Sequence, residues 1–101
     1  MDYTVKLLPV AYKDLITAKN WYNEQRDGLG EEFKIEINKE IDYLSQNPNH
    51  YQQKYKELRQ SLVVRFPYAI YYFKDDNLNQ IIIFGVLHTK RNPKTIEKRL
   101  R

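Results

Sequence analysis

The sequence predicts a two-layer α+β domain, a helical hairpin packed on a largely antiparallel β-sheet in the order β-α-α-β-β-β. Three observations predict it. Two dense runs of Ile, Val, Tyr and Phe, Tyr68–Phe73 and Ile81–Leu87, flank the polar turn Asp75–Asn79, which is the pattern of a β-hairpin. Two upstream segments carry apolar residues at helical period and are joined by Asp27-Gly28-Leu29-Gly30. Between helices and hairpin, Glu57–Phe66 alternates as a half-buried strand does.

Taken in order, Tyr3–Leu8 is a short first strand at a sheet edge. Pro9 ends it and is tolerated in the first turn of the helix that follows. From Val10 to Glu24, the residues Ala11, Leu15, Ala18 and Tyr22 fall on one helical face, with Trp21 beside that stripe. Gly28 stops this helix in the left-handed conformation. The second helix runs from about Glu31 to Gln46, with Phe33, Ile37, Ile41 and Leu44 as its buried stripe. Glu31 and Glu32 suit the positive end of its dipole, and Asn47-Pro48-Asn49 terminates it. The short link makes the two helices antiparallel neighbours. In Glu57–Phe66, Leu58, Leu62, Val64 and Phe66 are expected to face the helices, and Arg59, Ser61, Val63 and Arg65 to face away. Pro67 marks the corner into the hairpin, whose arms lack strict alternation and read as central strands. Asn92-Pro93 ends the last strand, leaving a basic tail over Lys94–Arg101. Only one helical layer is available, so Ile and Tyr side chains on the other sheet face are expected to be exposed or covered by a partner.

A chain of 101 residues reads as one domain spanning 1–101. There is no cysteine, which excludes disulfides and Cys-based zinc sites and points to a reducing compartment. No apolar run approaches the ~20 residues of a membrane span. The N-terminus lacks the basic and apolar regions of a signal peptide. The expected address is the cytoplasm, with no membrane partner. The net charge of +4 is unevenly placed. Residues 1–53 hold six Lys/Arg against nine Asp/Glu, whereas residues 54–101 hold eleven against four. A basic half points to an anionic partner, nucleic acid or acidic protein, or to a solvated basic tail.

The candidate functional residues are Arg65, His88, Lys90 and Arg91. Antiparallel pairing of the central hairpin brings the entry at Arg65 and the exit at His88–Arg91 to one end of the sheet, where clustered cations suit an anionic target. His88 also suits a structural role at a strand end. Arg65 and Arg91 also suit ion pairs with Glu57 or with the Asp75-Asp76 turn. Asp14, Glu24 and Glu36 read as solvated helical positions. His50 and His88 are far apart and lack metal-ligand spacing, so neither a metal nor another cofactor is expected. No phosphate-binding glycine loop or Ser-His-Asp set is present.

Four features together resemble the RelE/ParE superfamily of type II toxin–antitoxin toxins. They are Gly28-Leu29-Gly30 with Phe33 behind it, Asn47-Pro48, Arg65-Phe66-Pro67-Tyr68, and His88-x-x-Arg91-x-Pro93. The resemblance implies a toxin neutralised by a cognate antitoxin. In the ParE branch the target is DNA gyrase and no chemistry is needed. In the RelE branch the protein is a ribosome-dependent messenger RNA endoribonuclease, and His88, Arg91 and Arg65 would then be catalytic. Ribonuclease members often carry Arg where this chain has Ala69, and a C-terminal Tyr where this chain has none after Tyr72. Those gaps and the Phe66-Pro67-Tyr68 corner lean toward a ParE-like gyrase inhibitor. An inactive relic that only binds antitoxin remains the third reading. An antitoxin segment or a second copy, forming a homodimer, is the expected cover for the open sheet face.

Overall fold

The computed structural model describes residues 2–100. It contains β1 (Thr4–Leu7), α1 (Pro9–Gln25), α2 (Leu29–Gln46), β2 (Gln53–Tyr55), β3 (Leu58–Leu62), β4 (Tyr68–Asp75), β5 (Gln80–His88) and α3 (Lys94–Arg99). The five strands form one mixed sheet in the order β1-β5-β4-β3-β2. β1 is the expected edge strand and runs parallel to β5, while every other pair is antiparallel. β2 was not expected. It is three residues long and folds back on β3 through a turn in which Lys56 has φ +54°.

Two glycines shape the helical hairpin, one by its backbone conformation and one by the space it leaves. Gly28 has φ +84° and reverses the chain between the helices. A Cβ on Gly30 would run into the Lys19 carbonyl oxygen and the Asn23 side chain. Instead the Gly30 N–H donates to Asn23 Oδ1 at 2.7 Å, which closes the hairpin tightly. Ala11, Ala18 and Tyr22 of α1, with Phe33, Ile37 and Leu44 of α2, pack on Ile70, Tyr72, Ile81, Ile83 and Val86 of the central strands. Near the Pro67 corner, Tyr22, Phe33, Phe66 and Tyr68 form an aromatic cluster with centroid separations of 4.9 to 6.0 Å.

The faces of β3 are the reverse of the sequence reading. Ser61 is fully buried and bonds Glu40 of α2, and Val63 joins the core under the helices. Leu62 and Val64 point to solvent, and Leu58 lies on the far sheet face. Arg59, expected to face away from the helices, donates to the Tyr51 carbonyl oxygen. The cause is register. Ser61 pairs with Ile70 and Leu62 with Ala69, so β4 dictates the face, and one residue of slip inverts every side chain. The strand also ends at Leu62, so the later alternation belongs to a loop.

The far sheet face is not the open Ile/Tyr surface expected. The basic tail forms α3, whose Ile96 is buried against Leu58, Ala69, Tyr71, Phe84 and Leu87, with Leu8 and Leu100 packed around them. Phe84 is a bulged residue, since Tyr71 pairs with Gly85 while Tyr72 pairs with Ile83. A Cβ on Gly85 would meet Arg99 Nη1 at 3.0 Å and Ile96 Cδ1 at 3.3 Å, so the glycine lets α3 approach the strand. Among the described residues no helix is long and apolar enough to cross a membrane.

Candidate functional site

β1 pairs with β5 only as far as Ile83. Beyond it, the outer edge of β5 from Gly85 to His88 has no strand beside it and faces α1. The Val86 N–H, buried and without a strand partner on that edge, needs an acceptor, and Asp14 of α1 provides it at 3.0 Å. The same carboxylate receives Arg99 of α3 in a two-pronged pair, Nη1 to Oδ2 at 2.7 Å and Nη2 to Oδ1 at 2.9 Å. Its hydrogen bonds to Asp14 hold the Arg99 guanidinium more firmly protonated than usual. Asp14 thus ties α1, β5 and α3 together, and the expectation that it is simply solvated is corrected.

Beside this tie lies a cleft of about 360 Å³ whose lining includes Lys13, Asp14, Thr17, Tyr68, His88, Arg91 and Arg99. His88 enters it from the end of β5, with its ring 5.3 Å from that of Tyr68. The turn after His88 is closed by Arg91 N–H to the His88 carbonyl at 2.9 Å and by Lys90 N–H to His88 Nδ1 at 3.0 Å. Thr89 N–H bonds the Pro67 carbonyl at 2.8 Å and fixes this turn on the corner between β3 and β4. Burial pushes the Tyr68 phenol above its ordinary pKa, against the opposing pull of Arg91.

Of the four candidate residues, His88 and Arg91 share this cleft, and Lys90 sits on the adjoining turn, exposed. Arg65 lies at the same end of the sheet but does not line the cleft. It occupies the left-handed region at φ +77°, donates a hydrogen bond to Glu32 at 3.0 Å, forms an ion pair with Glu36 at 3.6 Å, and lies 5.6 Å from the Phe66 ring centre. Its partners therefore come from α2, not from Glu57 or the Asp75-Asp76 turn. The Glu36 side chain is only 11% exposed, against the solvated position expected. The Glu32 carboxyl is held below the ordinary range, chiefly by its hydrogen bond to Arg65. Asp76 instead accepts from Tyr3 at 2.6 Å and pairs with Lys74 at 2.9 Å. His50 bonds Tyr43 at 2.7 Å. No group of three or more His, Cys, Asp or Glu among the described residues is arranged to hold a metal.

Lys13, Asp14, Thr17 and Arg99 were missed as site residues. A signal existed for Asp14. It falls between Ala11 and Ala18 on the inward side of α1, where an acid needs a cation or a backbone donor.

A mixed sheet with a helical hairpin packed on one face is an α+β fold that solved toxin structures share. The chain is similar in fold to the chromosomal ParDE system from P. aeruginosa, with a TM-score of 0.77 at 15% identity over 87% of this chain and 97% of that one. It is also similar to the isolated E. coli RelE toxin, with a TM-score of 0.65 at 14% identity over 98% and 99% of the two chains. The RelBE2 toxin–antitoxin complex from Mycobacterium tuberculosis gives a TM-score of 0.57 at 18% identity over 87% and 99%. No curated protein matches the sequence. The family model described as the ParE toxin of the type II toxin–antitoxin system, parDE, matches residues 5–93. The chain belongs to that family.

Proposed function

We propose that this ParE-family toxin inhibits growth in the cytoplasm by binding DNA gyrase, and that a cognate antitoxin neutralises it. The observation that carries binding over catalysis is the state of His88. Its Nδ1 accepts the Lys90 N–H, so the neutral ring keeps its proton on Nε2 and offers the cleft a donor rather than a base. Tyr68, the hydroxyl-bearing aromatic of the cleft, is kept protonated by burial. Metal-free RNA cleavage needs a base for the 2′-hydroxyl and an acid for the leaving oxygen. Cations and donors alone bind an anionic surface without cleaving it. Ala69 lies in the apolar cluster under α3 and adds no charge on the other face. Membership of the ParE family favours gyrase, the target that branch implies. The proposed contact surface is His88, Lys90 and Arg91, with Lys13 beside them, and Arg65 braces the corner against α2.

The test adds purified chain to a gyrase supercoiling assay and, separately, to a translation reaction whose messages are mapped by primer extension. Loss of supercoiling with intact messages is expected. Cut messages with normal supercoiling would establish the ribonuclease reading instead. Normal growth at high soluble expression, with neither effect, would mark an inactive relic.

A further inference from the structure

The cationic cleft continues into a second lobe of about 440 Å³, lined by Trp21, Tyr22 and Pro67. The two lobes share Thr17, Ala18, Tyr68 and His88, so they form one groove along α1. Lys13, Thr17 and Trp21 recur every fourth residue along its rim, which sets the charged and aromatic ends roughly 12 Å apart. Among the described residues no Asp or Glu side chain pairs with Lys13 or Arg91. Asp14, the acid in the lining, has both oxygens engaged by Arg99 and Val86. One end is therefore positive without a counter-charge. The other exposes a tryptophan, 53% accessible, above a floor of aromatic rings.

We infer that this groove seats an acidic segment of the antitoxin, with a carboxylate on Lys13 and Arg91 and a large apolar or aromatic side chain against Trp21. The inference rests on the reading that an antitoxin neutralises the chain. A protein segment suits the aromatic lobe because most of its lining is ring and aliphatic carbon. Its polar side-chain atoms are the Thr17, Tyr22 and Tyr68 hydroxyls, the Trp21 indole N–H and the His88 ring. A large apolar side chain gains contact area on the aromatic faces without needing any of them. The positive end supplies charge complementarity and the aromatic end supplies anchoring area. An occupant of the groove covers His88 and Arg91, so neutralisation follows from covering the surface that meets the target.

Trp21 is the single tryptophan of the chain, so its fluorescence reports on the groove directly. The probe is the purified product of the small gene adjacent to the toxin gene, with any tryptophan of its own replaced by phenylalanine. Binding should shield Trp21 from iodide quenching. By calorimetry, Trp21→Ala should weaken binding by roughly 30-fold. Lys13→Glu and Arg91→Glu should weaken it by about tenfold each, more at low salt. Thr17→Glu, an exposed helical change between the lobes, should repel the segment even if Trp21→Ala fails to fold. Lys34→Glu, in the groove between α1 and α2, serves as the control and should bind within about twofold of the wild-type affinity. Tight binding that leaves Trp21 quenchable, or that tolerates all four groove variants, would overturn the inference while leaving the antitoxin reading intact. Failure of the wild-type chain to bind the probe would overturn both.

Discussion

The molecule carries two basic regions at the same end of its sheet, and they differ in kind. Arg65 enters from the loop between β3 and β4 and meets two glutamates of α2. His88 and Arg91 leave β5 and meet α1 and α3, where the nearest acid already holds Arg99. Both regions look alike as lists of cations. One is neutralised inside the fold and the other is left with charge to offer a partner. Counter-charge supplied by a distant helix, not the number of basic residues, separates a brace from a binding surface.

Exchange experiments test that difference. The largest effect is expected from Arg91→Glu, which should abolish growth arrest and weaken inhibition of supercoiling by roughly 100-fold, since it inverts charge where nothing compensates. Arg65→Gly should stay within about twofold of the wild-type chain in the same assay. Equal loss from both variants would break the comparison.

Next in size is Asp14→Ala. It leaves the Arg99 guanidinium and the Val86 N–H without their partner, 18% and 10% being the side-chain exposures of Arg99 and Asp14. A loss of about 2–4 kcal/mol in denaturant unfolding is expected, with α3 released from the sheet. A change below about 0.5 kcal/mol would mean that Ile96 alone docks the tail.

A smaller effect separates two substitutions at Arg65. Arg65→Ala keeps a side chain in the left-handed region and loses both glutamates, so it should lower Tm slightly. Arg65→Gly loses the same pairs but relieves the backbone at φ +77°, so it should be the more stable of the two. The opposite order would show that the loop is not strained at this residue.

The smallest effect is in pH dependence. The Glu32 carboxyl is depressed in the folded chain, mainly by Arg65. A depressed acid stabilises above its unfolded pKa, and that contribution fades as pH falls through the folded value. The Tm of wild type should therefore fall relative to that of Arg65→Gly as pH drops below the ordinary glutamate value of about 4.3. A difference that stays constant would assign it to the backbone alone.

Much of the fold was legible because local chemistry and tertiary packing agree. The apolar stripes of α1 and α2, the left-handed Gly28, the Pro67 corner and the apolar hairpin arms each announce their element by residue type alone. β3 was misread because Leu58, Leu62 and Val64 mimic one face of a strand that ends at Leu62. β2 was missed because three mostly polar residues carry no period. The site was half legible. His88 and Arg91 could be named from their position after an apolar strand, whereas Lys13, Asp14 and Arg99 were not named, because they reach the cleft from α1 and α3, far from that strand end in sequence or on another element.

The sequence by itself determined the two helices, the central hairpin, the basic C-terminal half and the family, since these depend on spacing within short windows and on motifs in fixed order. The tertiary structure alone decided which cations are free. Glu32 and Glu36 reach Arg65 across 33 and 29 positions of chain, and Asp14 reaches Arg99 across 85. An ion pair depends on separation in space, and separation in space is set by how β1 stops short on β5 and how α3 folds over the sheet.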